Sequence, residues 1–126
     1  MVDMHTDIID HDTAERIVDA YLACWNEHDP ATRAAAISAA WHDDARSVDP
    51  LADVTGHAAI AEMMEGVSVQ MPGHRFERRG AVRSHHDVVH WEWAMCTSDG
   101  APVLTGIDTA HVRDGRIASL YGFFDA

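Results

Sequence analysis

The sequence is short of several things, and each shortage narrows the field. Cysteine is scarce: Cys24 and Cys96 are the only two. They cannot define a disulfide framework, and their places in a helical and a strand pattern suggest reduced, semi-buried thiols. Basic residues are outnumbered, nine Lys+Arg against 21 Asp+Glu, for a formal net charge of −12. Such a surface repels nucleic acid and anionic membranes, so neither is expected as a partner. No apolar run approaches membrane-spanning length. The opening "MVDMHTDIIDHD" lacks both the basic and the apolar region of a secretory signal, and a cytoplasmic protein is expected. Ligand signatures are missing as well. Ten histidines give no HExxH or paired-ligand spacing, and the adjacent His85 and His86 would point to opposite faces of a strand. No metal is expected. "TGHAAI" lacks the lysine and spacing of a phosphate-binding loop, and no Ser-His-Asp or Cys-His arrangement stands out.

What is present is ordinary globular material, 47% apolar and 24% charged over 126 residues. That suits one domain with its own core. Residues 1–12 read as an N-terminal arm and 13–126 as a single domain. The first half is helical by pattern. Ala14, Ile17, Val18, Tyr21, Leu22 and Trp25 form one apolar stripe, preceded by a capping-box-like Asp12-Thr13-Ala14-Glu15 and ending near Asn26 to His28. A second helix opens with Asp29 as cap and Pro30 at its first position, with Ala34, Ile37 and Trp41 inward. "HDDA" is expected to turn and "RSVDP" to form a short strand stopped by Pro50. After "LADVTG", Ile60, Met63, Met64 and Val67 mark a third helix closed by "MPG".

The second half changes to period two. "HRFERRGAVRS", "DVVHWEWAMCT", "APVLTGIDTAHV" and "RIASLYGFF" predict four strands, joined at "HHD", "SDG" and "RDGR". Helices followed by a meander predict an α+β fold, with helices on one face of a curved sheet and room for a pocket between.

Within "VLTGIDTAHV", Leu104, Gly106, Ala110 and Val112 make an apolar face that Asp108 interrupts. Asp108 either pairs with an arginine such as Arg46 or Arg83, or lines an apolar cavity. In the second case desolvation would keep it protonated, as a hydrogen-bond donor to developing negative charge. Asp49 is either an Asp-Pro turn residue or, sharing a face with Ser47, a second acid in the same cavity. Tyr21, mid-stripe on the first helix, is either core or a phenol aimed at that space. Trp93, on the face formed by Val89, Trp91, Trp93 and Met95, reads as core or pocket lining. The opposite face, Val88, His90, Glu92 and Ala94, reads as solvent or dimer surface. His42 is a candidate auxiliary acid or base.

From Ala14 to Phe124 the chain resembles the SnoaL-like and ketosteroid isomerase branch of the nuclear-transport-factor-2-like superfamily. "AYLACWNEHD", "AWHDDARSVDP", "TGHAAIAEMM", "GIDTAHVRDGRI" and the closing "YGFF" carry the likeness. The resemblance implies a cone-shaped, curved antiparallel sheet with three N-terminal helices packed on its concave face, the cystatin-like fold. It implies Asp49 as catalytic base, Tyr21 as donor to the substrate oxygen and Asp108 as the protonated acid. The last idea has ketosteroid isomerase as its standard example. Trp25, Trp41, Met63, Trp93, Leu120 and Phe124 are the expected substrate-binding residues, around a small apolar molecule. No cofactor is expected, and a homodimer packed through the outer sheet is. The implied activity is proton abstraction next to a carbonyl, in isomerisation or in polyketide-type cyclisation. Two alternatives stand beside it: a non-catalytic ligand-binding or interaction domain, and an epoxide hydrolase whose Asp-Arg-Asp relay would use Arg46 or Arg83.

Overall fold

The computed structural model describes residues 8–125. The element order is α1 (His11–Asn26), α2 (Pro30–Ala40), β1 (Trp41–Asp49), β2 (Ala52–Thr55), α3 (His57–Gln70), then β3 (Arg75–His85), β4 (Val88–Cys96), β5 (Pro102–Arg113) and β6 (Arg116–Phe124). Of the predicted N-terminal arm, residues 1–7 lie outside the described residues, and α1 begins at His11.

Local chemistry explains the helix starts. Asp10, not the predicted Asp12, caps α1, its carboxylate accepting from Thr13 N at 2.7 Å. Two residues earlier is the better place because the acceptor must reach the N3 amide, and α1 begins at His11. Asp29 caps α2 through Thr32 N at 2.9 Å, with Pro30 at the first position as predicted. The predicted stripe of α1 is buried through Leu22, with Trp25 half-buried. On α2 the sequence pattern misleads: Ala34 is exposed, and the buried residues are Arg33, Ile37 and Ala40.

Arg33 is a buried cation, 1% exposed, and all three of its guanidinium nitrogens donate. Nε donates to Cys24 O at 3.2 Å, Nη1 to Glu65 at 2.7 Å, and Nη2 to Ser68 Oγ at 3.0 Å and to Glu27 O. It therefore satisfies carbonyls at the end of α1 that the helix itself leaves open, while tying α1 and α2 to α3.

The six strands form one open sheet in the order β2-β1-β6-β5-β4-β3. Pairing is antiparallel throughout except between β1 and β6, which run parallel. The sheet is thus mixed rather than purely antiparallel. Period-two patterning says which side chains face inward, not which neighbour a strand takes. The expected "HDDA" turn is part of β1, which reaches back to Trp41 through a register shift between Trp41 and Arg46. "LADVTG" holds a short strand, β2, held to β1 by the Arg46–Asp53 pair at 2.9 Å. At the β5–β6 turn Asp114 (φ 54°) and Gly115 (φ 76°) are both left-handed, as a two-residue hairpin of matching twist requires.

Among the described residues no helix is long and apolar enough to cross a membrane. The core fills the space between helices and sheet, with Val18, Ile37, Trp41, Ile60, Met64, Trp91 and Ile117 fully enclosed. Replacing Arg33 with alanine leaves two main-chain carbonyls and Ser68 without their donor, which predicts a loss of about 2–4 kcal/mol in urea unfolding. Glu65→Gln, at a side chain half exposed, is expected to cost under about 1 kcal/mol.

Candidate active site

Three elements bring the candidate groups together. Tyr21 projects from the buried stripe of α1, Asp49 ends β1, and Asp108 lies in the middle of β5. All three line one cavity of about 400 Å³ between α1, α3 and the sheet. The register shows how the acids meet. Asp108 pairs with Gly122 on β6, and Val48 pairs with Tyr121, which sets Asp49 beside the same glycine. Asp49, Gly122 and Asp108 therefore form a row across three adjacent strands. A methyl on Gly122 would stand 2.7 Å from Asp108 Oδ1 and 3.4 Å from Asp49 Cβ. The glycine is there because the carboxyl occupies the space of its side chain.

Tyr21 is seated by aromatic packing. Its ring lies 5.1 Å from Trp91, edge-on, and 5.8 Å from Trp41. Those two tryptophans fill the core behind the phenol and leave its hydroxyl end for the cavity. Burial lifts the Tyr21 pKa well above 10, and the neighbouring Asp108 charge lifts it further. It is a donor, not a phenolate, at any ordinary pH.

Asp108 is only 4% exposed. Burial pushes its pKa up from 3.8 to about 7, and the Asp49 charge adds to the rise. The Tyr21 hydroxyl and the Trp93 indole pull the other way without offsetting it. No arginine takes up the charge. Arg46 pairs with Asp53, Arg83 is exposed on β3, and no arginine lines the cavity among the described residues. Of the two sequence alternatives for Asp108, the cavity is the one observed. Asp49 fits both of its alternatives at once. Its Oδ1 accepts from Leu51 N at 2.8 Å and Ala52 N at 2.9 Å, closing the β1–β2 turn, while the residue also lines the cavity.

Of the residues expected to contact a ligand, Trp25, Met63, Trp93, Leu120 and Phe124 line the cavity, and Trp41 does not. Trp41 is wholly buried behind Tyr21. His42 is also outside, its ring bonded to the Arg113 carbonyl. Sequence reasoning missed Gly122 and the role of Gly106. The signal for both was present, since a glycine inside a strand pattern marks close approach. It missed Leu51 and Val103 too, apolar lining residues that are 78% and 50% exposed, with Gln70 the remaining uncharged polar side chain. Chain position could not have found them. Among the described residues no cluster of three His, Cys, Asp or Glu could hold a metal ion.

Comparison with known proteins agrees with this geometry at the level of family. Residues 18–120 match the SnoaL-like domain model, and the chain belongs to that family. A SnoaL-like family protein from Agrobacterium tumefaciens, described as a candidate isomerase, is 34% identical; the match covers 91% of this chain and 99% of that one, with a TM-score of 0.87. A candidate ketosteroid isomerase from Kribbella flavida is 16% identical over 93% of this chain and 81% of its own, with a TM-score of 0.69. A candidate polyketide cyclase from Sinorhizobium meliloti is 22% identical over 85% and 93%, with a TM-score of 0.68. The last two likenesses are of fold. No curated protein sequence matches the chain.

The raised pKa of Asp108 has a consequence for stability. Between pH 3.8 and about 7 the folded chain holds a proton that the unfolded chain has released. Stability therefore falls as pH rises through that window, by on the order of 4 kcal/mol in total, and levels off above it. Asp108→Asn removes the titration while keeping the shape. The variant is expected to gain on the wild type from pH 4 to about pH 7 in urea unfolding and then hold a constant lead. A constant difference between the two proteins across that range would mean that Asp108 does not hold its proton in the folded state.

Proposed function

We propose that this SnoaL-like protein catalyses cofactor-free proton transfer next to the carbonyl of a small, uncharged, apolar substrate. The observation that carries the proposal is the meeting of Tyr21, Asp49 and Asp108 in one apolar cavity. Its remaining lining is mostly aromatic, aliphatic and methionine side chains, and no arginine is there to receive an anionic substrate. Two acids without a cation reject carboxylates and phosphates, which sets the substrate's charge.

In the proposed step the Asp49 carboxylate removes a proton from the carbon beside the carbonyl, and the released electron pair moves onto the carbonyl oxygen. Tyr21 and protonated Asp108 donate hydrogen bonds to that oxygen as its charge develops. Asp49 then returns the proton at a different carbon, so atoms and electrons balance without a cofactor. The turn amides of Leu51 and Ala52 occupy one Asp49 oxygen and hold the carboxylate in place. Isomerisation of a β,γ-unsaturated ketone is the simplest reaction of this kind, and ring closure in a polyketide uses the same first step. The epoxide hydrolase alternative loses its support, since its relay needs an arginine in the cavity and none of the described arginines lines it. A homodimer is part of the proposal. Tyr121 and Phe123 expose apolar surface on the outer sheet face, 41% and 64% open, with Ile107 beside Phe123. In sedimentation, Phe123→Glu is expected to shift the protein to monomer.

With β,γ-enones of increasing size as substrates, Asp49→Asn is expected to lower turnover about 10²–10⁴-fold, and Tyr21→Phe about 10²-fold or more. Activity should fall as pH rises through about 7, because Asp108 donates only while protonated. If the enones bind and the Asp49 variant turns them over as fast as wild type, the catalytic proposal fails. Binding without turnover in either protein would leave the ligand-binding domain as the function.

A further inference from the structure

Beyond the three groups above, the cavity wall carries a buried N–H that faces the Asp108 carboxyl but has no partner at full hydrogen-bond geometry among the described residues. Trp93 is 5% exposed, and its Nε1 is buried without a hydrogen-bond partner. The Trp41 and Trp91 nitrogens are in the same condition, but those side chains stand in the core, whereas Trp93 lines the cavity. A buried N–H left unpaired costs about 1–3 kcal/mol, so a permanent orphan here would be poor economy for packing alone.

The position of this indole is enforced. Trp93 on β4 pairs directly with Gly106 on β5, two residues before Asp108. A methyl at Gly106 would fall 2.4 Å from Cζ2 of the indole and 2.7 Å from Cε2, the atom that carries Nε1. The Cζ2–Cε2 part of the ring thus lies against the glycine, where any side chain would displace it. Phe76 at 5.8 Å and Phe124 at 5.9 Å, the latter edge-on, hold it from the sides.

We propose that Trp93 is a positioning residue for Asp108, its glycine-seated indole N–H being the donor that the Asp108 carboxylate takes up when it ionises. One carboxyl oxygen is then committed to the indole side and the other is left to Tyr21 and the ligand. The described groups facing Asp108 are Tyr21 from α1, Asp49 from β1, Trp93 and the directly paired Trp91 from β4, and the bare Gly122 from β6. Tyr21 stays neutral, so Asp49 is the other charge in play among the described residues. The two neighbours act with opposite sign. Trp93 favours the Asp108 anion and Asp49 opposes it. Nothing in this assignment depends on which ligand the cavity takes or on whether a reaction follows.

The experiment follows Asp108 itself by carboxyl carbon NMR in ¹³C-aspartate-labelled protein, with Asp108→Asn identifying its resonance. Trp93→Phe keeps an aromatic ring on Gly106 and removes the N–H. Its Asp108 midpoint is expected to rise by about 0.5–1 pH unit, while Asp49→Asn lowers it. Because the Phe variant can fail to fold, the indole N–H resonance of Trp93 is also followed in the wild type. It is expected to move downfield as Asp108 ionises and to lose that titration in Asp108→Asn. An indole resonance indifferent to Asp108, or a midpoint unmoved in folded Trp93→Phe, overturns the assignment. Both measurements are made without substrate, so they stand or fall separately from the proposed catalysis.

Discussion

The structure is organised around one acid that has nowhere to put its charge. Asp108 sits in a strand whose inward neighbours are Gly106, Ala110 and Val112, with no cation in reach of its cavity among the described residues. An unpaired carboxylate cannot stay ionised in such a place at low cost, and the proton is what neutralises it. The surroundings conform to that demand. Gly122 gives up its side chain so that the carboxyl can lie across β6, and Gly106 gives up its own so that Trp93 can reach the same region. Both glycines stand inside strands and are fixed by their neighbours, not by a turn.

The scaffold supplies the rest through connectivity. The parallel pairing of β1 with β6 places Asp49 next to Gly122, and so one strand away from Asp108. Had β1 taken the other sheet edge, beside β3, two strands, β4 and β3, would stand between the acids and no row through Gly122 would form. On the helical side, Arg33 ties the end of α1 to α2 and α3, fixing the layer from which Tyr21 and Trp25 enter the cavity. One buried cation thus holds the roof, while one buried acid shapes the floor. They are kept apart, and each is neutralised differently: Arg33 by carbonyls, a hydroxyl and Glu65, Asp108 by a proton.

Much of this was legible in the chain, for reasons that can be named. The four meander strands and the Pro30 helix follow from period and capping, which are local. Asp108 was conspicuous because a strand face has only two sides, and a charge on the apolar one stands out. Tyr21 and Asp49 needed the family resemblance, since spacing alone left each with an equal structural reading. Three things were not legible. The parallel β1–β6 pair depends on strand neighbours, which alternation does not encode. Arg33 carried no signal in the sequence, because its partners come from the end of α1 and from α3, far along the chain. Trp41 was misjudged as lining because a buried aromatic at a helix end reads the same whether it faces a cavity or supports the residue that does.

The fold alone decides little about activity, since one curved sheet with three helices serves many chemistries. The buried acid bears on the proposed function more directly. A pocket that only stores an apolar molecule needs a donor for the ligand's oxygen, and a threonine or asparagine would provide one without titrating. A carboxylic acid near pKa 7 costs stability that such a neutral donor does not. Its return comes when charge builds on the acceptor, because an acid strengthens its bond to a developing anion more than a weakly acidic hydroxyl or amide does. That gain exists at a transition state and vanishes in a resting complex. The cost is carried at all times and the benefit only during reaction, so the proposed catalysis accounts for an acid here where storage alone does not call for one.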